Sequence, residues 1–378
     1  MWRGLASNAL TVFIVLGLAL AGAVSWGKRE WVGAGPLAQA ICLEVPRGGS
    51  WRGVSERLEE QGAISSGSVF RIGVDYTGRE GDLKAGSFLV PEGATMEQIA
   101  QIVSEGGRST CGSEVVYRIG IASSDLRIRE LDPATGQYRA VAEIDPAVDE
   151  IPELPADARY RIAIAEGATS WQIVDALSRV PFMTGEVGEV PAEGTLAPDS
   201  YEVTPGADRA ELIEVMEENQ EEILAVAWAG RQPDLPYETP EEALIMASIV
   251  EKETGLGEER PQVASVFVNR LRQGMRLQTD PTVIYGVTRG QGVLGRGIRQ
   301  SELDRETPWN TYRIDGLPAT PIANPGLAAI EAALNPDETP YLFFVADGTG
   351  GHAFAETLDE HNRNVAAWRA IEAERASQ

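Results

Sequence analysis

The chain of 378 residues is 43% hydrophobic, which gives room for two or three folded domains and argues against disorder as its main state. Lys and Arg are outnumbered 32 to 57 by Asp and Glu, so a net charge of -25 removes the cations that a nucleic-acid partner requires. Two histidines and two cysteines are too few for a zinc cluster of ordinary spacing, and neither GxxxxGK[ST] nor GxGxxG stands between a strand and a helix. No metal, nucleotide or other cofactor is therefore expected.

Residues 4–27 carry no charge and 11–24 are almost wholly apolar, enough for one membrane helix of about 20 residues. Ala19-Leu-Ala21 and Ala21-Gly-Ala23 also offer the small-residue sites of a cleaved signal peptide. Trp26 and Lys28 have interface character, which favours an uncleaved anchor over residues 1–29. Arg3 lies on one side and Lys28 and Arg29 on the other, so the positive-inside rule leaves the orientation open. Only a short stub precedes the helix, so whatever folds lies after it. If that part is exported, Cys42 and Cys111 can pair; the alternative is two buried free thiols. We expect the pair.

From residue 38 to about 203 a unit recurs. Pro91-Glu-Gly-Ala-Thr95 precedes Ile99 and Val103, Ala165-Glu-Gly-Ala-Thr169 precedes Ile173 and Leu177, and Pro46-Arg-Gly-Gly-Ser50 precedes Val54 and Leu58. Each copy reads as a strand end, a glycine turn and a Ser or Thr N-cap before a helix with apolar residues four apart. The copies at 46–50 and 91–95 form a module over 38–112, and the third along the chain, at 165–169, belongs to a second module over 113–203. Within it, residues 126–157 are acidic and proline-containing, and read as an insertion or extended linker.

Beyond a turn-rich connection comes a helix over about 208–231, then the run Ala243-Leu-Ile-Met-Ala-Ser-Ile-Val-Glu-Lys-Glu-Thr254, whose apolar first part predicts a helix buried on nearly all sides. Glu251 and Glu253 stand about 200° apart around such a helix, so they cannot share one pocket and one should be solvated. Glu251 follows Ala247 and Ser248 by one turn; apolar walls there would raise its pKa, as a general acid requires. The plain alternative is two surface charges at a helix end. Gln278, Asp280, Asn310, Tyr312 and Asn324 read as polar groups on non-helical, aromatic-flanked segments, suited to sugar hydroxyls and acetamido groups. Loop capping by Asn and Asp would explain any one of them alone.

These residues carry a resemblance. Ala247-Ser-Ile-Val-Glu-Lys-Glu-Thr254, Val263-Ala-Ser-Val-Phe-Val-Asn-Arg-Leu271, Met275-Arg-Leu-Gln-Thr-Asp-Pro-Thr-Val-Ile-Tyr-Gly286, Asn310-Thr-Tyr312, Phe343-Phe-Val-Ala-Asp-Gly348 and Gly351-His-Ala-Phe354 closely resemble the YceG-like (MltG) endolytic murein transglycosylases. The match runs over most of 193–368. Leu196-Ala-Pro-Asp-Ser-Tyr201 and Trp309-Asn-Thr-Tyr312 depart from the family's Leu-Phe-Pro-Asp-Thr-Tyr and Tyr-Asn-Thr-Tyr. The resemblance implies an α+β chain: a single transmembrane helix, LysM-like strand-helix modules, and a C-terminal mixed α/β catalytic domain over 204–378. It implies cleavage of the MurNAc-GlcNAc bond within glycan strands to leave 1,6-anhydroMurNAc ends. Glu251 takes the place of the family's catalytic glutamate, and Gln278, Asp280, Tyr285, Asn310, Thr311 and Tyr312 are expected to bind substrate. It further implies a single-pass inner-membrane protein with its bulk facing the periplasm. Peptidoglycan is the substrate it implies, and peptidoglycan synthases or the division machinery are the expected partners. Two other readings remain: a muramidase that uses water, with Asp280 as second carboxylate, and a non-catalytic peptidoglycan-binding anchor.

Overall fold

The computed structural model describes residues 2–105, 110–152, 154 and 158–376. In chain order the elements are α1 (Trp2–Val32), β1 (Ile41–Val45), α2 (Trp51–Glu60), α3 (Gly67–Tyr76), β2 (Gly86–Val90), α4 (Met96–Glu105), β3 (Ser113–Ile119), β4 (Ser124–Asp132), β5 (Gln137–Ile144), β6 (Arg159–Ile164), α5 (Ser170–Ser178), β7 (Ser200–Val203) and α6 (Arg209–Ala229). They continue with α7 (Pro240–Glu253), α8 (Arg260–Arg272), α9 (Asp280–Thr288), the single turn α10 (Gln300–Leu303), α11 (Leu327–Leu334), β8 (Phe343–Ala346), β9 (His352–Ala355) and α12 (Leu358–Ala376). The architecture is mixed α+β, with one helix at the N-terminus apolar and long enough to cross a membrane.

Two compact units are present. The first comprises Met1–Val115, Arg127–Glu143 and Ile151–Arg159; the second comprises Val116–Leu126, Ile144–Glu150 and Tyr160–Gln378. In the first, β1 and β2 pair antiparallel, with Leu43 opposite Phe88, and α2, α3 and α4 cover them. Leu43, Leu58, Phe70, Phe88 and Ile99 form its core. Cys42 and Cys111 are disulfide-bonded with Cα atoms 5.5 Å apart, as expected.

All three repeat turns take the geometry their residues predict. Gly48, Gly93 and Gly167 each adopt positive φ (75°, 65° and 77°), where a side chain would be strained. Ser50 caps α2 by accepting from Gly53 N–H. Thr95 and Thr169 each form a reciprocal box with the glutamine three residues on. The stretch 126–157 differs from the expected loose linker: its first part is built of the strands β4 and β5, joined at a tight turn where Gly136 has φ 67°. Alternating side chains in 137–144 made strands available, and the prolines sit outside them, at 133 and 146; residues 153 and 155–157 lie outside the described residues. Strands β3 to β7 form a sheet in the order β5-β4-β3-β6-β7.

The second unit is organised around α7. Thr239 caps it by accepting from Glu242 N–H, and Pro240 fits the first turn, where no N–H partner is needed. Ala243, Leu244, Met246, Ala247, Ser248, Ile249 and Val250 are all buried, since α11, α8, α6 and α9 pack around the helix. Ser248, the polar exception, donates to Ile245 O at 2.7 Å and accepts from Ile322 N–H at 3.0 Å, so no polar atom of its side chain is wasted.

Candidate active site

Because α7 is surrounded until its last turn, Glu251 and Glu253 emerge on opposite faces into different neighbourhoods. The expected angular separation holds, but the expected solvation of one of them does not. Both carboxyls sit in desolvated surroundings, and burial pushes both pKa values above the usual carboxylate range.

Glu251 is built into an ion network. Its side chain is 5% exposed; Oε1 lies 3.2 Å from Arg260 Nη2, and Oε2 accepts the Gly326 N–H at 3.1 Å. Arg260 reaches Glu166 as well, at 3.3 Å. The neighbouring Lys252 donates to Gly167 O at 3.1 Å, so the third repeat turn is tied to the helix end. Burial and the Glu166 charge raise the Glu251 pKa, while Arg260 and the Gly326 amide oppose the rise. Both carboxylate oxygens already have partners, which leaves little geometry for a substrate oxygen.

Glu253 opens instead into a cavity of about 460 Å³, lined also by Phe267, Arg270, Leu277, Gln278, Thr279, Asp280, Tyr312, Phe343, Phe344 and His361. Thr279 Oγ1 donates to Glu253 Oε1. Burial is the largest cause of its raised pKa; the Thr279 hydroxyl and the Arg270 and His352 side chains work the other way. Arg270 is anchored by its donations to Leu342 O at 2.7 Å and Leu277 O at 2.6 Å, and its guanidinium lies 5.3 Å from the Phe343 ring centroid. Opposite, Tyr312 Oη donates to Asp280 Oδ1 at 2.7 Å. The His361 ring stacks on Phe343 at 5.2 Å, and the edge of Phe267 meets Phe344 at 5.7 Å. A protonatable carboxyl, hydrogen-bonding groups and flat apolar faces thus converge on one space.

Of the residues singled out from the sequence, Gln278, Asp280 and Tyr312 come together here, with Glu253 rather than with Glu251. Asp280 is not on an irregular segment, as expected, but opens α9, and Tyr285 lies inside that helix. Tyr285 stands apart from the cavity, donating to Glu193 Oε2 at 3.0 Å.

Asn310, Thr311 and Asn324 are buried and act as scaffold. Asn310 Nδ2 donates to Leu303 O at 3.0 Å and Arg305 O at 2.6 Å, and its Oδ1 accepts Tyr312 N–H at 3.0 Å, so it fixes the loop that presents Tyr312. Thr311 Oγ1 accepts Thr279 N–H at 3.0 Å and pairs with Thr282 Oγ1 at 2.8 Å. Asn324 bridges Leu196 N–H and Ala168 O at 2.9 and 3.0 Å. With these partners all three lie inside the fold, and Asn310 and Thr311, expected to bind substrate, do not line the cavity.

Sequence reasoning missed Arg270 and His361. Gln278 carries a signal visible only in the fold: its φ of 49° is left-handed without being glycine, a local strain that clusters at functional sites. Among the described residues no three His, Cys, Asp or Glu side chains stand together as a metal site.

A sequence profile described as the YceG-like family matches residues 129–367. An endolytic murein transglycosylase of Bacillus subtilis (strain 168) is 27% identical over 325 residues, covering 85% of this chain and 83% of that protein. An endolytic murein transglycosylase of Streptococcus pneumoniae (strain ATCC BAA-255 / R6) is 25% identical over 356 residues, or 86% of this chain; the match spans 58% of the pneumococcal protein. Among solved structures, a yceG-like protein of Listeria monocytogenes is 26% identical, with a TM-score of 0.47 and coverage of 86% of this chain and 98% of that one.

Proposed function

The chain belongs to the YceG-like family, and from that premise we propose that it is a membrane-anchored endolytic peptidoglycan transglycosylase in which Glu253, rather than Glu251, is the general acid and then the base. The observation that carries the choice is the cavity: Glu253 shares it with Gln278, Asp280, Tyr312 and aromatic walls, whereas both oxygens of Glu251 are held by Arg260 and Gly326. The relatives named endolytic murein transglycosylases support the substrate class.

The chemistry needs one carboxyl. Protonated Glu253 donates to the glycosidic oxygen as the MurNAc C1–O bond breaks, so GlcNAc leaves as an alcohol. The resulting carboxylate removes the proton of the MurNAc C6 hydroxyl, whose oxygen closes onto C1 to form the 1,6-anhydro ring. Glu253 ends protonated and no water is consumed. Intramolecular attack spares the entropy of capturing a nucleophile, and a carboxyl whose pKa burial has raised keeps its proton to higher pH than a solvated one, as a general acid requires. Phe343 and Phe344 offer faces for pyranose stacking, and Gln278 and Tyr312 offer hydrogen bonds to sugar substituents.

A second reading has one observation in its favour: Asp280 lines the same cavity, so a water-using muramidase with two carboxylates is open to it. Product analysis separates the two. Digestion of purified sacculi followed by mass spectrometry should yield anhydro ends. Reducing ends, or cleavage that survives Glu253→Gln and not Glu251→Gln in folded protein, would overturn the proposal.

Membrane anchoring through α1 is supported by the span Thr11–Val32, whose apolar residues from Val12 to Val24 are exposed. The Cys42–Cys111 disulfide suits an oxidising compartment, hence a bulk that faces the periplasm. The antiparallel β1–β2 pair enclosing α2 and α3 supports a LysM-like reading of 38–112. Cutting glycan beside the membrane would put the enzyme where synthases and the division machinery work, and co-purification with them tests that association.

A further inference from the structure

Helix α1 does not end in a tether; its last turns are built into the first unit. Trp31 is buried against Phe70, with ring centroids 6.0 Å apart. A Cβ on Gly73 would fall 2.1 Å from Trp31 Cε3, so α1 and α3 approach too closely for any side chain at that position. Ser65 Oγ donates to Glu30 Oε2. After the helix, Gly35 N–H donates to Gly93 O at 3.1 Å and Gly93 N–H to Leu37 O at 3.0 Å, so the second repeat turn pins the emerging chain.

This joint sets the height of α3. The apolar run ends at Val24, and Trp26, 54% exposed, is an interface residue. From Trp26 to Trp31 the helix rises about 7.5 Å, roughly the depth of one headgroup layer. Helix α3, in contact with Trp31, is therefore held at the outer edge of that layer. On α3, Ile72 and Tyr76 stand one turn apart on one face, 68% and 90% exposed. Val32, on α1 itself, is half exposed, and Lys28 and Arg29, two and three residues past Trp26, would meet the lipid phosphates if α1 crosses the bilayer. An aliphatic chain, a tyrosine ring with a wet hydroxyl and two cations suit a headgroup layer better than water.

We propose that α3 rests in the headgroup layer of the membrane that α1 crosses, with Ile72 and Tyr76 as its contact residues, so that the first unit is a seat on the lipid and not a freely swinging spacer. This rests on the reading of α1 as a membrane anchor. The native cysteines are bonded to each other, so a single added cysteine at Leu20, Ile72, Tyr76 or Val141 is a unique labelling site. Each full-length variant, labelled with an environment-sensitive fluorophore, is reconstituted in phosphatidylcholine–phosphatidylglycerol vesicles that carry a nitroxide at the headgroup or at mid-chain. Mid-chain nitroxide should quench Leu20, headgroup nitroxide should quench Ile72 and Tyr76, and neither should dim Val141 on β5. Quenching at Leu20 with Ile72 and Tyr76 as bright as Val141 overturns the lipid contact while leaving the anchor intact. An unquenched Leu20 removes the anchor and the proposal with it. Shielding of positions 72 and 76 without lipid quenching points to a protein partner and also overturns it.

Discussion

The two faces of the last turn of α7 carry the same side chain two residues apart, both desolvated, and reach opposite ends. On one face Glu251 is clamped by Arg260 and Gly326 and closes an ion network with Glu166. On the other, Glu253 has a hydroxyl donor on one oxygen and an open cavity in front of it. Burial raises both pKa values, so a raised pKa alone does not distinguish an acid catalyst from a structural ion pair. The difference lies in what the oxygens touch and whether a substrate can reach them.

The largest expected effect falls on activity. Glu253→Gln should abolish glycan cleavage, with a loss at or beyond the upper end of the roughly 10²-fold to 10⁴-fold range for a general acid-base, because one group serves both proton transfers. Folded Glu251→Gln should retain substantial cleavage. Sacculus digestion with matched thermal melts checks the pair, and the reverse pattern would break the comparison at its centre.

Next comes stability. Glu251→Gln removes the carboxylate that Arg260 and the Gly326 amide hold, and the loss of those contacts should cost at most about 2 kcal/mol, moderated because Arg260 keeps Glu166 at 3.3 Å and because the desolvation that raises the Glu251 pKa is relieved at the same time. Denaturant unfolding at neutral pH measures this, and an unchanged midpoint would show the clamp to be idle.

Glu253→Gln should move stability in the opposite direction. A carboxyl whose pKa is raised on folding stays protonated in the native state after the unfolded chain has released its proton. Its contribution is therefore full below the ordinary carboxylate range and is lost as pH rises through the folded value. Neutral glutamine removes that loss, so the variant should melt above wild type at neutral pH and the difference should vanish in acid. A constant difference across pH would mean that Glu253 does not titrate as its burial implies.

The smallest effect tests the Thr279 hydroxyl that donates to Glu253. Thr279→Val deletes the hydroxyl that stabilises the Glu253 carboxylate, which should raise its pKa further. Because cleavage begins from protonated Glu253, the rate should fall on the alkaline side, and that fall should shift to higher pH with only a modest change in maximal rate; a shift to lower pH would contradict the assignment.

Much of this fold is local and was readable in the chain. The glycine turns with their Ser or Thr caps need only positive φ and a hydroxyl three residues before a free N–H, and Gly93 with Thr95 and Gly167 with Thr169 behave accordingly. The unbroken apolar run 243–250 determined that α7 is central, and helical periodicity determined that Glu251 and Glu253 point apart. The strands within 126–157 were hidden because acidic, proline-bearing composition outweighed a short alternation. What periodicity cannot decide is which side of a buried helix faces an empty space. That depended on α9 and on the 310–312 loop, which carry Asp280 and Tyr312 to the Glu253 side, and on Arg260 and Gly326, which close the other. Asn310 and Thr311 looked like ligands because an exposed and a buried amide or hydroxyl are spelled alike; only their partners separate scaffold from site. The sequence by itself determined the family, the turns and the pair of carboxyls, since these are set by residues adjacent in the chain. Tertiary packing decided which carboxyl could meet a substrate, because access and desolvation are made by residues distant in it.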